Sequence, residues 1–394
     1  MDNLRLIPSK EMTNAGSLDT GVLSAVGLTT VSTASSCRVE LNNSAMEVTQ
    51  PDGMASVGRS ELIVLGSGSS TGVPSPLCVI NPTDPPCNVC RMAMEGPHEL
   101  NPNYRCNPSL LISYLHNDGQ RRYIQIDAGK DFKEQVLRWF IPYKIPRLDA
   151  LILTHEHADA MLGLDNVRGV QPVNFKNDIP PMPVFVTQHT MDSVALKFPY
   201  LASKKRKEGE ELRRVAQFDW RVIEPSIDTR FQAGGLTFTP LPVYHGEDYI
   251  CLGFLFGEKT RVAYISDVSR IPTRTEHVIS KEQGGQVDLL FVDTNGVGLP
   301  GGISHMAAIA KYGAGQVDFL FLDSLYKETP HNTHMTFPES LKVIKKLQPK
   351  RAFLIGMTHE FEHDLDSKIL AEWSARERIP VEFSYDGLRI PVDL

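Results

Sequence analysis

A strand-like run that ends in two closely spaced histidines constrains this chain more than any other feature. The apolar run DALILTH (149–155) ends at His155, and the chain continues with His157 and Asp159. Two histidines separated by one residue can point the same way from a turn. Imidazole combined with carboxylate suits Zn²⁺, Mn²⁺ or an iron ion. The segment therefore predicts a metal site at the end of a strand.

Other runs of the same kind predict the fold class. Strand character recurs in ELIVLGSGSSTGVP (61–74), SLLISYL (109–115), YIQIDAG (123–129), LTFTPLPVYHG (236–246), ICLGFLFG (250–257) and RVAYISD (261–267). Helical stretches lie between and after these runs, and the clearest is FPESLKVIKKL (337–347). Strand runs with interspersed helices indicate a layered α/β protein.

Polar residues at the ends of these runs predict a shared site. Asp127, His245 and Asp267 each fall at or just past the end of a run, as His155 and His157 do. Because loops at one edge of a layered sheet build sites, we expect these side chains to lie close together. The HxHxD pattern followed by two later strand-end ligands supports a metal site, which one isolated histidine would not.

Bulk composition limits the domains and partners. Hydrophobic residues make up 41% of the chain, so residues 59–394 can form a large globular domain. The formal net charge of -7 argues against a protein that binds nucleic acid through diffuse electrostatics. No apolar run reaches the roughly 18 residues of a membrane span, so we expect a soluble protein. We expect it in the cytoplasm, and we leave a homodimer open.

Residues 1–58 differ in composition from the rest of the chain. They are rich in Ser, Thr, Ala and Gly and contain no Phe, Trp or Tyr. Such a segment cannot bury enough apolar surface to offset the entropy of ordering, so we interpret it as a disordered N-terminal tail. An organellar targeting peptide stays open as the alternative, although acidic residues outnumber basic ones, which counts against a mitochondrial leader.

Four short motifs resemble those of the metallo-β-lactamase-fold hydrolases, in that family's order and spacing. They are IDAG (126–129), THEHAD (154–159), VYHG (243–246) and YISD (264–267). Within this superfamily the likeness is strongest to the phosphoribosyl cyclic phosphodiesterases of phosphonate breakdown, and weaker to the tRNA 3′-processing endonucleases. The supporting stretches are GSGSSTGVP (66–74) and residues 334–364. The resemblance implies an αββα sandwich, in which helices flank two mixed sheets and metal ions lie at the sheet edges.

The resemblance also implies the ligands of the active metal. In the family's two-metal centre, three histidines and a bridging carboxylate hold the first ion, at positions that match His155, His157, His245 and Asp267. All four residues are present. The resemblance therefore implies a complete site for one ion, which we expect to be Zn²⁺ or Mn²⁺.

The second ion of the family's centre lacks two ligands in this sequence. Asp159 matches one ligand, but the two remaining histidine positions are occupied by Ala160 and Gly356. Because both departures affect the same ion, we infer one strong metal site; a second site rebuilt from other residues stays open. One ion is sufficient to activate water, and Asp159 could orient or deprotonate that water.

His334 matches the family's catalytic histidine, which would protonate the leaving oxygen or contact the phosphate. A repeat offers a rival, because QVDLLFVDTNGVGLPGGISHM (286–306) is echoed by QVDFLFLDSLYKETPHNTHM (316–335), so His305 ends the first copy much as His334 ends the second. We favour His334, since only this residue is followed by the helix and the terminal GMTH at the family's spacing. A solvent-exposed histidine at a helix start is the alternative.

The cysteines predict a separate metal site. Cys87 and Cys90 form a CxxC pair with Cys78 shortly before it, a spacing typical of zinc sites that lacks a nearby fourth ligand. The resemblance supplies a terminal histidine at the position of His359, which implies a structural Zn²⁺. A redox pair or a disulfide is the alternative, and it fits a cytosolic protein less well.

These features favour a metal-dependent phosphodiesterase that hydrolyses a small phosphate ester, such as a cyclic nucleotide or a sugar phosphate. RNA 3′-end processing is one alternative, but acidic residues nearly cancel the charge of the basic segment SKKRKEGEELRR (203–214). A catalytically silent metal-binding scaffold is another, favoured if the departures at Ala160 and Gly356 abolish turnover.

Overall fold

A computed structural model describes most of the chain after its N-terminal segment. The described residues are 58–174, 179–202, 215–245, 248–265, 289–292, 319–329, 336–347 and 351–394, with the single positions 272, 274, 275 and 278. The predicted tail, residues 1–58, lies outside these ranges except for Gly58, and so do Asp267, His334, His305 and the basic segment 203–214. What we predict for these residues stays a prediction.

Within the described residues, fifteen strands form two sheets. In chain order they are β1 (Ser60–Gly66), β2 (Ser109–Leu115), β3 (Arg121–Ile126), β4 (Ala150–Ile152), β5 (Met182–Val186), β6 (Phe218–Val222), β7 (Phe231–Ala233), β8 (Leu236–Tyr244), β9 (Ile250–Phe256), β10 (Val262–Ile265), β11 (Leu289–Val292), β12 (Phe319–Asp323), β13 (Arg351–Ile355), β14 (Val381–Phe383) and β15 (Arg389–Val392). Each predicted strand run overlaps one of these strands.

Both sheets are mixed. One has the order β15-β1-β2-β3-β4-β5-β6, antiparallel from β15 to β3 and parallel from β3 to β6. The other has the order β14-β13-β12-β11-β10-β9-β8-β7, parallel from β14 to β10 and antiparallel from β10 to β7. The parallel strands β3 and β4 therefore direct their carboxyl ends to the same sheet edge.

Helices connect the strands. They are α1 (Pro76–Ile80), α2 (Asn88–Ala93), α3 (Phe132–Trp139), α4 (Ala158–Met161), α5 (Gln188–Lys197), α6 (Pro199–Ala202), α7 (Phe337–Leu347) and α8 (His363–Glu377), with 3-10 helices at His98–Leu100 and Leu164–Val170. Helix α7 is the one predicted from FPESLKVIKKL. None of the helices in the described segments combines the length and apolar character that crossing a membrane demands.

Alternate residues of one strand show how the layers are stacked. Leu62 and Val64 of β1 lie in a buried cluster with Phe254 of β9, so this cluster fills the space between the two sheets. Ile63, which points to the other side of β1, is buried with Phe132 of α3. β1 is buried along its whole length because both of its faces are covered.

The second sheet is covered in the same way. Leu354 of β13 is buried with Ile344 of α7 and Leu370 of α8 on the side away from the first sheet. The layers are therefore helices, sheet, sheet and helices. This arrangement confirms the predicted αββα sandwich of two mixed sheets.

The sequence repeat corresponds to two neighbouring strands. β11 belongs to the first copy and β12 to the second, and they pair in parallel with Leu289 opposite Phe319. Partners in this register are equivalent residues of the two copies. The strand of the first copy is thus an internal part of the sheet, between β10 and β12.

Candidate active site and a second metal-binding cluster

Three histidines from the two sheets converge at one edge of the sandwich. His155 and His157 follow β4, and His245 follows β8. A main-chain hydrogen bond of 3.1 Å from Leu252 N to Thr154 O joins the sheets at this point. The ring nitrogens that could bind a metal all lie within 4.8 Å of one another in these histidines, which we call the histidine centre.

The donor chemistry of the histidine centre fits a divalent metal ion. Nε2 of His245 lies 3.3 Å from Nδ1 of His157, closer than two protonated nitrogens would tolerate. Burial, and then the neighbouring imidazoles, lower the pKa of His155 well below its ordinary value. His155 is therefore neutral at pH 7, which is the form that coordinates Zn²⁺ and similar ions.

A buried carboxylate orients His155 through a threonine. The carboxylate of Asp127 accepts hydrogen bonds from the main-chain N and from Oγ1 of Thr154, both at 2.9 Å, and Oγ1 lies 2.8 Å from Nδ1 of His155. Since the hydroxyl hydrogen points at Asp127, the hydroxyl oxygen accepts from Nδ1–H. The lone pair of the neutral ring then resides on Nε2, ready for a metal.

Asp127 is held at a cost. Its backbone is left-handed, with φ 63°, and burial raises the pKa of its carboxyl group, whereas the two hydrogen bonds from Thr154 lower this pKa and favour the carboxylate form. Strained, buried groups of this kind persist where the surrounding structure fixes them, and they concentrate at functional sites.

The IDAG turn also positions Asp159. Ala128 N donates to Ala160 O at 2.7 Å, which docks the turn onto α4. A Cβ atom at Gly129 would lie 1.9 Å from the carbonyl oxygen of Asp159, so only glycine allows this approach. Asp159 is half-buried, and burial raises the pKa of its carboxyl group. Its oxygens lie outside the group of ligand atoms that the three histidines form.

The two positions where the sequence lacks a histidine remain unsuited to bind metal. Ala160 is 2% exposed and carries only a methyl group. Gly356 follows β13, has φ 75° and donates its N–H to Ser67 O at 2.9 Å. A second ion near the histidine centre would therefore need ligands from outside this pair of positions.

Two residues at the histidine centre were not predicted from the sequence. Tyr249 packs its ring against His157 and His245, and its hydroxyl donates a hydrogen bond to the carboxylate of Glu156. Burial, and then Glu156, raise the pKa of Tyr249, so its hydroxyl keeps its proton. The only sequence clue was the place of Glu156 between the two histidines of THEH.

A second cluster lies where α1 and α2 meet the segment after β13. The ligand atoms of its four residues lie within 4.8 Å of one another; we call Cys78, Cys87, Cys90 and His359 the cysteine cluster. Nδ1 of His359 is 3.4 Å from Sγ of Cys78 and 3.3 Å from Sγ of Cys87. The three cysteines are free thiols and form no disulfide in the structure, which counts against the disulfide alternative.

The environment of the cysteine cluster suits a metal ion. Ser75 N donates to Sγ of Cys90 at 3.3 Å, and burial raises the pKa of the Cys90 thiol to about 12. A nearby dication could overcome this penalty and stabilise the thiolate. The structure thus brings together every residue of the predicted structural zinc site.

A buried arginine supports the segment that carries His359. Arg105 donates to the carbonyl oxygens of Thr358, at 3.2 Å, and of Phe361, at 3.1 Å. Burial lowers its pKa to about 10, so it stays charged at pH 7, and the negative charge of Asp386 acts against this lowering. Arg105 therefore fixes the chain on both sides of the histidine ligand.

Comparison with known proteins identifies the fold family. Residues 122–357 match the family described as the beta-lactamase superfamily domain. A crystal structure of a diphosphatase from the PhnP family is 26% identical, with a TM-score of 0.56, over 85% of this chain and 99% of that one. Zinc-bound PqqB from Methylobacterium extorquens is 18% identical, with a TM-score of 0.52, over 84% of this chain and 100% of that one.

One curated relative matches this chain over only part of its own length. The octanoyltransferase of Porphyromonas gingivalis is 34% identical over 209 residues, which make up 53% of this chain and 35% of that protein. The chain thus spans about a third of that relative. Because the family match covers more than half of the chain and the sandwich agrees with it, this protein belongs to the beta-lactamase superfamily, with the metallo-β-lactamase fold of its hydrolases.

Proposed function

We propose that this protein is a metal-dependent phosphodiesterase that acts on a small phosphate ester, cyclic esters included. The observation that carries the proposal is the convergence of three imidazoles within 4.8 Å at one sheet edge. The likeness to the PhnP-family diphosphatase, at 26% identity over nearly its whole length, supports a phosphate-containing substrate.

The residues of the histidine centre have distinct proposed roles. His155, His157 and His245 would hold the ion, with Asp267 as the fourth ligand implied by the resemblance. When bound there, Zn²⁺ or Mn²⁺ would supply a Lewis acid and activate water. Burial raises the pKa of Asp159, which favours its proposed role as a proton acceptor, and His334 is the proposed proton donor to the leaving oxygen.

The proposed role of the cysteine cluster is structural. Three thiolates and one imidazole would supply four ligands to Zn²⁺ and leave no position for a substrate. Such a site would tie the loop that carries α1 and α2 to the segment after β13.

The test uses the full chain, stripped of metal and then reloaded with Mn²⁺ or Zn²⁺. The substrates are bis(p-nitrophenyl) phosphate and a panel of cyclic and linear sugar phosphodiesters. We expect turnover that requires the metal and that His157→Ala removes. Protein that binds metal tightly but hydrolyses none of these esters would contradict the proposal and favour the silent scaffold.

A second candidate function is hydrolysis of an acyl thioester. One observation favours it: the octanoyltransferase relative is 34% identical over its matched region, above the 26% of the diphosphatase. The transfer activity in that name belongs to a protein most of which this chain does not match. An octanoyl thioester assayed beside the phosphodiesters separates the two candidates, since the preferred class should have a kcat/KM at least about tenfold higher.

A further inference from the structure

The three ligands of the histidine centre differ in what fixes their rings. His155 is buried, and the hydrogen bond to Thr154 orients it. His157 is exposed and His245 is half-buried, so neither gains its orientation from burial alone. A ligand ring that is free to rotate binds a metal weakly, because the metal must then order it. The groups that pack against these two rings therefore bear on how well they bind a metal.

Tyr249 contacts both of the more exposed rings. Its ring centroid lies 5.7 Å from that of His157 at an interplanar angle of 17°, which is a stacked arrangement. It lies 5.9 Å from that of His245 at 65°, an edge contact. His245 N also donates to Tyr249 O at 2.8 Å, so the main chain ties the two residues together. The ring of Tyr249 therefore packs against both ligand rings.

Glu156 holds Tyr249 in place. Its carboxylate accepts the hydrogen bond of the Tyr249 hydroxyl, and the side chain is only 15% exposed. Nζ of Lys197 donates to the main-chain oxygen of Glu156 at 3.1 Å, and Nε2 of His189 lies 3.5 Å from its Oε1. Because Glu156 stands between His155 and His157 in the chain, it is fixed relative to both ligands.

We infer that Tyr249 is a positioning residue for His157 and His245, with Glu156 as its anchor. Tyr249 orients His157 and His245, as the hydroxyl of Thr154 orients His155. The inference rests on the proposed metal centre, but it needs no particular substrate. Loss of a residue that orients a ligand lowers metal affinity about 10- to 100-fold.

The experiment measures metal affinity without substrate. Metal-free protein is titrated with Co²⁺ against a competing chelator. Absorption from thiolate-to-cobalt charge transfer marks filling of the cysteine cluster, so the remaining visible bands report the histidine centre. The variants are Tyr249→Phe, which keeps the ring and loses the hydroxyl, Tyr249→Ala, Glu156→Gln and Glu156→Ala. Tyr200→Phe is the matched control, because its hydroxyl also bonds a carboxylate, that of Asp165 at 3.1 Å.

We expect Tyr249→Phe and Glu156→Ala to weaken Co²⁺ binding at the histidine centre about 10-fold, and Tyr249→Ala about 100-fold. Glu156→Gln should restore most of the affinity, because the amide oxygen still accepts the tyrosine hydroxyl. Tyr200→Phe should leave affinity unchanged.

Unchanged cobalt affinity in both Tyr249 variants would overturn the inference, even if their melting temperatures fell. A raised KM at unchanged metal affinity would also overturn it, since Tyr249 would then contact substrate. If metal affinity follows the expected order while no phosphodiester is hydrolysed, the inference stands and the proposed function fails.

Discussion

The histidine centre and the cysteine cluster are built from ligands of different charge. Three neutral imidazoles and the single carboxylate proposed for Asp267 would leave a divalent ion a net positive charge, so the ion could attract water and an anionic substrate. Three thiolates with one imidazole would overcompensate the charge of Zn²⁺ and fill all four positions. From the charge of the ligands we therefore expect reactivity at the histidine centre and structural support from the cysteine cluster.

The two sites also differ in what they connect. The histidine centre joins the edges of two sheets that the core already packs together. The cysteine cluster joins Cys78 to His359 across 281 residues, and its cysteines lie on or next to the short helices α1 and α2. Helix α1 has no buried residue, so little apolar packing supports it. We therefore expect loss of the first site to affect chemistry and loss of the second to affect folding.

Substitution of His157 should have the largest effect. His157→Ala removes one of three convergent ligands, and we expect kcat/KM to fall by at least about 10³-fold as the active metal is lost. Because His157 is exposed, the melting temperature should change by no more than about 2 °C. Steady-state kinetics, elemental analysis and calorimetry check this. Full activity in the variant would show that the reaction uses another site.

Substitution of a cysteine should reverse the pattern. Cys87→Ser should remove one equivalent of zinc and lower the melting temperature by roughly 10 °C, since binding free energy of a structural metal is folding free energy. The protein that remains folded should keep its kcat within about threefold. Cys106→Ser, which changes a buried thiol outside the cluster, should retain the zinc. Equal zinc content in Cys87→Ser would disprove the site.

The sequence predicted the two sites to different extents. Local spacing identified His155 and His157, because strand ends and HxH spacing are short-range features. The partner of the cysteines, His359, came only from family resemblance, because 281 residues separate it from Cys78. Composition and periodicity do not encode a contact over that distance.

The residues behind the ligands were harder to predict. Glu156 and Tyr249 lie 93 residues apart and approach only because the edges of two sheets meet. Asp127 was recognised as a strand-end residue, but its bond to Thr154 depends on a left-handed turn, which is uncommon for residues other than glycine. These contacts form only when the two sheets pack against each other. Short-range patterns in the sequence therefore do not predict them.

Thr154 offers a subtler change at the histidine centre. Thr154→Val keeps the side-chain shape but removes the hydroxyl that bridges Asp127 and His155. We expect metal affinity at the histidine centre to fall about 10- to 100-fold, while the cysteine cluster binds as before. The same cobalt titration measures both sites in one sample. Thr154→Ser, which restores the hydroxyl, should recover most of the affinity; failure to recover would mean that the hydrogen bond does not orient His155.

The smallest effect is expected from an attempt to make the histidine centre a two-metal site. Ala160→His with Gly356→His would restore both missing imidazoles, and we expect the total metal content to rise from about two equivalents per chain toward three, one of which belongs to the cysteine cluster. The gain should be partial, because a side chain at the left-handed Gly356 costs about 1–2 kcal/mol and extra volume at the buried Ala160 about 1–3 kcal/mol. Elemental analysis at increasing Zn²⁺, with calorimetry of the same samples, measures the gain and its cost. Three tight equivalents in the unaltered protein would instead show that other ligands have rebuilt the second site, and the one-metal proposal would be wrong.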